Sequence, residues 1–151
     1  MILSAQSIRR RSVGLQSMIR PFSERTIHLG MSYGLGPAGY DLRIAETLVL
    51  EPGEFRLAST VETLSIPNDI QGELKDKSTW ARKGLTVQNT VFDPGFDGYA
   101  TIEPANHSSS RIEIAAGTAI AQMIFEMLDE PTEAPYSGKY QRQQSGPQPA
   151  R

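Results

Sequence analysis

A chain of 151 residues with 38% hydrophobic side chains can bury one sizeable core, and its 13 glycines and 10 prolines favour many turns between short strands over a helix bundle. The formal net charge of -2 offers no broad attraction for DNA or RNA, so a nucleotide held by a few local cations is the phosphate-bearing partner the composition allows. With no cysteine and only two histidines, disulfides, thiolate nucleophiles and the His/Cys zinc centre of the zinc deaminases are excluded.

The first eleven residues predict a short helix with Ser4 as N-cap, and Gly14 and Pro21 interrupt any longer helical period. Arg9, Arg10 and Arg11 read as its solvated face. No run approaches the ~18 apolar residues of a membrane helix and no secretory pattern opens the chain, so a cytoplasmic protein without membrane contact is expected. The glycine-punctuated stretch LGMSYGLGPAGYDLRI reads as a loop leading into a strand, because alternation begins only at Tyr40, Leu42 and Ile44.

TLVLEPGEFRLAST carries two strand-like pieces around a Pro52-Gly53 turn, and Pro67, Asn68 and Asp69 mark another. KSTWARKGLTV predicts a short helix over about 79–83, stopped by Gly84. Paired strands are expected from Val87 to Ile102 around DPGFDG, followed by strand-loop-strand in ATIEPANHSSSRIEI. GTAIAQMIFEML has a composition that admits a helix, but the surrounding rhythm favours a strand. From Asp129 the chain becomes polar and proline-bearing, consistent with a disordered terminus or with a lid in which GKYQRQQSG orders over a ligand. There is no tandem repeat.

Three polar, glycine-bearing segments stand out: KDKSTWARKGL, VFDPGFDGYATIE and YSGKYQRQQ. Lys77, Ser78 and Arg82 could hold a polyphosphate, since cations and a hydroxyl direct donors at oxygens; a solvated turn anchored by Trp80 is the structural alternative. Neither a P-loop nor a GxGxxG pattern is present. Strand alternation puts Thr101 and Glu103 on one face, where a buried Glu103 carboxylate could act as general base and an exposed one would be ordinary surface. Asp93 and Asp97 bracket a turn that either aspartate could stabilise, and Asp93 could also meet a sugar hydroxyl or a water. Asp41 and Arg43 could brace a wall, form a subunit contact or make a solvent-facing pair. His107 reads as a loop residue, because no second histidine has ligand spacing.

In their order along the chain, these segments resemble the dCTP deaminase family of the dUTPase-like superfamily. The resemblance centres on KSTWARKGLTVQNTVFDPGFDGYATIEPAN, with SYGLGPAGYDLRI and VETLSIPNDIQGEL upstream and GKYQRQQSGP downstream. It implies a mainly β, distorted β-barrel or jelly-roll-like dUTPase-type fold with short helices. It also implies a domain over residues 1–128, a flexible segment over 129–151 that closes over nucleotide, and a homotrimer with active sites between subunits. By the same resemblance Glu103 is the catalytic glutamate, with Ser78 and Arg82 as its polar partners. Asp93 lies by the deoxyribose, Lys139 and Gln143 meet the triphosphate, and Tyr140 orders the closed tail. The substrate is a deoxynucleoside triphosphate and the implied reaction is hydrolysis of dCTP to dUTP and ammonia. Magnesium accompanies the phosphates and no zinc is used.

The chain departs from the family pattern at several points. Lys77 stands where arginine is common, and the loop between Arg82 and DPGF is shorter than in some members. QNTV replaces HxTA, so that Gln88 stands for His and Val91 for Ala, which bears on the base pocket. A dUTP diphosphatase, a bifunctional enzyme releasing dUMP, and a noncatalytic nucleotide-regulated interaction protein are the alternatives.

Overall fold

The computed structural model describes residues 1–150; Arg151 lies outside the described residues. Helix α1 (Ala5–Arg11) precedes β1 (Ile19–Arg20), β2 (Thr26–His28), β3 (Met31–Gly36), β4 (Gly39–Arg43), β5 (Leu48–Leu50), β6 (Ala58–Ser65) and β7 (Ile70–Asp76). After the one-turn helix α2 (Ser78–Ala81) come β8 (Leu85–Val87), β9 (Val91–Phe92), β10 (Asp97–Ile102), β11 (Pro104–Asn106), β12 (Ile112–Ile114) and β13 (Ala119–Met127). The fold is mainly β, of the distorted jelly-roll kind. Its largest sheet has the order β2-β3-β4-β13-β7-β9, a second sheet has β1-β6-β10, and the pairs β11-β8 and β12-β5 complete it.

Period-two burial explains why the 119–127 segment is a strand. Ala121, Met123 and Phe125 are fully buried, while Gln122, Ile124 and Glu126 between them are only partly covered. Tyr40 and Leu42 on β4 and Ile70 and Leu74 on β7 flank that row, and Leu64, Ala100 and Ile102 of the second sheet join the same hydrophobic cluster. Burying each large apolar side chain contributes roughly 1.5–3 kcal/mol before entropy is counted.

Several local expectations are corrected. Residues 31–36 form a strand rather than a loop, because Gly34 sits where an added Cβ would lie 2.5 Å from the Glu24 carbonyl oxygen. Its lack of a side chain lets the strand pass the preceding segment. Ser4 occupies the N-cap position but makes no capping bond, its Oγ lying 3.4 Å from Ser7 Oγ. The turn expected at Pro52-Gly53 is present, with Glu54 N donating to Glu51 O at 3.0 Å, and the strands on either side find partners elsewhere: β5 pairs with β12, and β6 with β1 and β10. Likewise β9 pairs with β7 and β10 with β6, so DPGFDG joins two sheets instead of closing a hairpin.

Asp41 and Arg43 do not pair with each other. Arg43 Nε donates to Glu62 Oε1 at 2.7 Å and its backbone nitrogen to Oε2 at 2.9 Å, while its guanidinium lies 4.5 Å from the centre of the Tyr33 ring. Glu62 is fully buried, and that burial pushes its carboxyl above the ordinary range against the opposing pull of Arg43. Asp41 instead accepts from Lys77 Nζ at 2.5 Å and from Gln122 Nε2 at 3.3 Å.

Candidate active site

The DPGF turn, β10 and the strand ends beside it form one wall of a cavity of about 830 Å³. Thr90, Val91, Asp93, Thr101 and Glu103 face it from the β domain. Tyr136, Lys139, Tyr140, Gln143 and Gln148 face it from the C-terminal segment, and Phe55 and Leu57 close its apolar side. A smaller cavity of about 160 Å³, between residues 44–48 and 56–59 beneath Gly146 and Pro147, contains none of the residues singled out from the sequence.

Glu103 owes its position to strand register. Thr101 pairs with Ser59, Ile102 with Ala58, and Ala105 bridges Phe55, which brings Glu103 alongside Leu57 with its carboxylate on the cavity face. Ile102, its alternate neighbour, is fully buried in the core. A register irregularity between Tyr99 and Thr101 re-aims the strand just before these residues, a common use of a β-bulge beside a functional site. Burial pushes the Glu103 carboxyl above its ordinary range, and a hydrogen bond from Thr90 Oγ1 to Oε2, at 3.3 Å, pulls it part of the way back.

The C-terminal segment is tied to this wall by backbone and amide bonds. Tyr136 N donates to Pro94 O at 2.8 Å, Arg142 N to Asp97 O at 2.7 Å, and Tyr99 N to Gln143 O at 3.0 Å. Gln141 clamps the turn from both ends of its amide: Oε1 accepts from Asp97 N at 2.8 Å and Nε2 donates to Gly95 O at 2.7 Å. Tyr136 also packs its ring 6.1 Å from that of Phe96, centre to centre. Farther along, Gln148 N donates to Thr101 Oγ1 at 3.1 Å.

Of the residues singled out from the sequence, Val91, Asp93, Glu103, Lys139, Tyr140 and Gln143 meet at this cavity. Lys77, Ser78, Arg82 and Gln88 do not line it. Lys77 is buried against Asp41, Ser78 and Arg82 lie exposed on and just after α2, and Gln88 touches the site only through its backbone nitrogen, 3.3 Å from Glu103 O. Sequence reasoning missed Thr90, Phe55 and Tyr136. Thr90 sits inside the QNTV segment, so the signal was available; Phe55 reaches the site through pairing with a strand fifty residues away in the chain, which local pattern does not encode.

Among the described residues, no three His, Asp or Glu side chains converge to hold a metal, and no helix is long and apolar enough to cross a membrane.

Comparison with known proteins places these features in a family. The dCTP deaminase-like family profile matches residues 40–128, from the start of the β4 core to the end of β13. The dCTP deaminase of Acidobacterium capsulatum is 34% identical over 89% of this chain and 91% of its own. That of Campylobacter fetus is 36% identical over 91% of both, and that of Pyrococcus horikoshii 33% identical over 82% of this chain and 84% of its own. Among solved structures, the dUTPase of the Staphylococcus aureus phage phi11 superposes with a TM-score of 0.60 at 23% identity, covering 80% of this chain and 95% of that one. The native dUTPase of EIAV gives 0.56 at 22% identity over 67% of this chain and 84% of its own, a likeness of fold. With its β core matched from Tyr40 to Leu128 and relatives aligned over most of their length, this chain belongs to the dCTP deaminase-like family.

Proposed function

We propose that this protein hydrolyses dCTP to dUTP and ammonia, with Glu103 as the general base. The observation that carries the reading is a half-buried carboxylate with a raised pKa, set on the wall of a cavity large enough for a nucleotide. Glu103 takes a proton from water as that water attacks carbon 4 of cytosine. The resulting carboxylic acid returns a proton toward the ring or the departing amine, and ammonia leaves. Val91 borders the base, Asp93 the deoxyribose, and Lys139 and Gln143 of the closing segment the triphosphate, with Tyr140 ordering that segment. Magnesium, in this reading, arrives with the phosphates, and the deamination itself needs no protein-bound metal.

Ser78 and Arg82 enter through assembly. Both are exposed on one protomer and lie outside its cavity, which supports a homotrimer in which α2 of a neighbouring subunit completes the site. Ser78 then orients the base, Arg82 tunes the Glu103 carboxylate, and Gln88 and Lys77 shape the wall behind them.

Incubation of the protein with dCTP and magnesium, with separation of nucleotides and quantitation of ammonia, tests the assignment. One ammonia per dUTP formed is expected. Release of dUMP with pyrophosphate from dCTP indicates a bifunctional enzyme, and cleavage of dUTP alone replaces the deaminase reading with a diphosphatase one. Nucleotide binding without any product supports an interaction protein.

A further inference from the structure

The segment between β8 and β9 is held on both sides. Gln88 N donates to Glu103 O at 3.3 Å, and Thr90 O accepts from Leu74 N of β7 at 2.9 Å. Val91 then pairs with Glu73 in the β7-β9 ladder. Thr90 is therefore a fixed point between the catalytic strand and the large sheet, and its β-branched side chain has few rotamers to choose among. From that point Oγ1 reaches Oε2 of Glu103 at 3.3 Å, so the two carboxylate oxygens are inequivalent before any substrate binds.

We propose that Thr90 is a positioning residue for Glu103, its hydroxyl donating to the carboxylate before proton transfer and accepting from the carboxylic acid after it. This rests on the reading of Glu103 as general base. A hydroxyl suits the task because it is both donor and acceptor and turns about one bond to change roles. A lysine or an amide N–H can only donate, and so offers no acceptor for the O–H of the protonated carboxyl. The contact thus holds the same carboxyl geometry through both halves of the reaction. It also offsets part of the upward push that burial gives the Glu103 carboxyl. The other charged or titratable groups facing the cavity are Asp93 on the turn and Tyr136, Lys139 and Tyr140 on the C-terminal segment.

The test compares wild type with Thr90→Val, which keeps the shape and loses the hydroxyl, and with Thr90→Ser, which keeps the hydroxyl. Carbon-13 NMR titration of glutamate-labelled protein, with Glu103→Gln to assign the signal, reads the carboxyl directly and needs no turnover. Thr90→Val is expected to move the Glu103 titration to higher pH, and Thr90→Ser to leave it near wild type. In steady-state deamination of dCTP, Thr90→Val is expected to lower kcat about tenfold or more with little change in KM, and to carry the acid limb of kcat/KM upward with it. An unshifted Glu103 titration in folded Thr90→Val overturns the proposal, as does Thr90→Ser behaving like Thr90→Val. If wild type releases no ammonia, the deaminase reading fails, and the titration still decides whether Thr90 controls the carboxyl.

Discussion

An added Cβ on Gly98 would lie 2.5 Å from the backbone nitrogen of Gln143, so β10 and the C-terminal segment touch main chain to main chain at this point. The two residues form a parallel bridge, and Gly98 has a φ of +141°, which side-chain-bearing residues rarely adopt. Gly98→Ala is therefore expected to loosen residues 136–148 from the cavity. Faster amide exchange and protease cleavage in that segment check this, with the exchange of β13 unchanged as the control.

Removing residues 139–151 should act on capture of the triphosphate more than on the core. Lys139, Tyr140, Gln143 and Gln148 leave the cavity wall, while the buried cluster loses none of its members. KM for dCTP is expected to rise about tenfold or more, with the melting temperature shifted by only a few degrees. Unchanged binding and turnover would end the proposal that this segment closes over nucleotide.

Glu103→Gln should fold normally and lose deamination by roughly 10²–10⁴-fold, since the amide cannot accept the proton. Ammonia release measures it. With Glu103 as the proposed base, the active form is the carboxylate, and kcat/KM is expected to fall as pH drops through the Glu103 pKa. Burial sets that acid limb at a higher pH than an ordinary carboxylate would give. The linked stability has the opposite sense: a raised carboxyl pKa favours the folded state below the unfolded value and loses that contribution as pH rises through the folded one.

A shared site makes an arithmetic prediction. Arg82→Ala and Glu103→Gln are each expected to be inactive alone, but subunits of both kinds, unfolded and refolded together in equal amounts, should regain about a quarter of wild-type activity. That is the chance that one interface receives Arg82 and Glu103 intact in a ring assembled at random. No recovery, in a mixture shown to exchange subunits, would place both residues in sites that do not cross an interface.

The Arg43–Glu62 pair should matter to stability rather than to chemistry. Glu62→Ala leaves a largely buried guanidinium without its carboxylate, and a loss of about 3–5 kcal/mol is expected from urea unfolding.

Local pattern revealed the strand-rich class, because turn residues such as Pro52-Gly53 and Pro67-Asn68 set a rhythm of short segments among neighbouring residues, and that rhythm, more than the mixed pattern of 119–127 itself, marked the last segment as a strand. Strand partners were not legible, since β5 finds β12 some sixty residues away and β9 finds β7 across α2. Glycines misled where they serve close approach: Gly34 made a strand look like a loop. At the site, alternation placed Glu103 and Thr101 on one face as the structure does, whereas the charge on Lys77 gave no hint that Asp41, thirty-six residues earlier, would engage it.

Trp80, the single tryptophan of the chain, is buried with its indole N–H donating to Ala119 O at 2.8 Å, and the Lys83 ammonium stands 4.7 Å from the ring centre. It belongs to α2, not to the cavity wall that carries Glu103. The molecule thus contains an intrinsic fluorophore on the helix that carries Ser78, with Arg82 just after it, while residues 129–151, proposed to close over nucleotide, hold tyrosine and no tryptophan. On the proposed assembly its emission would separate two events that a turnover assay merges: a neighbour docking at α2 is expected to alter the tryptophan signal, and closure of the C-terminal segment to leave it still.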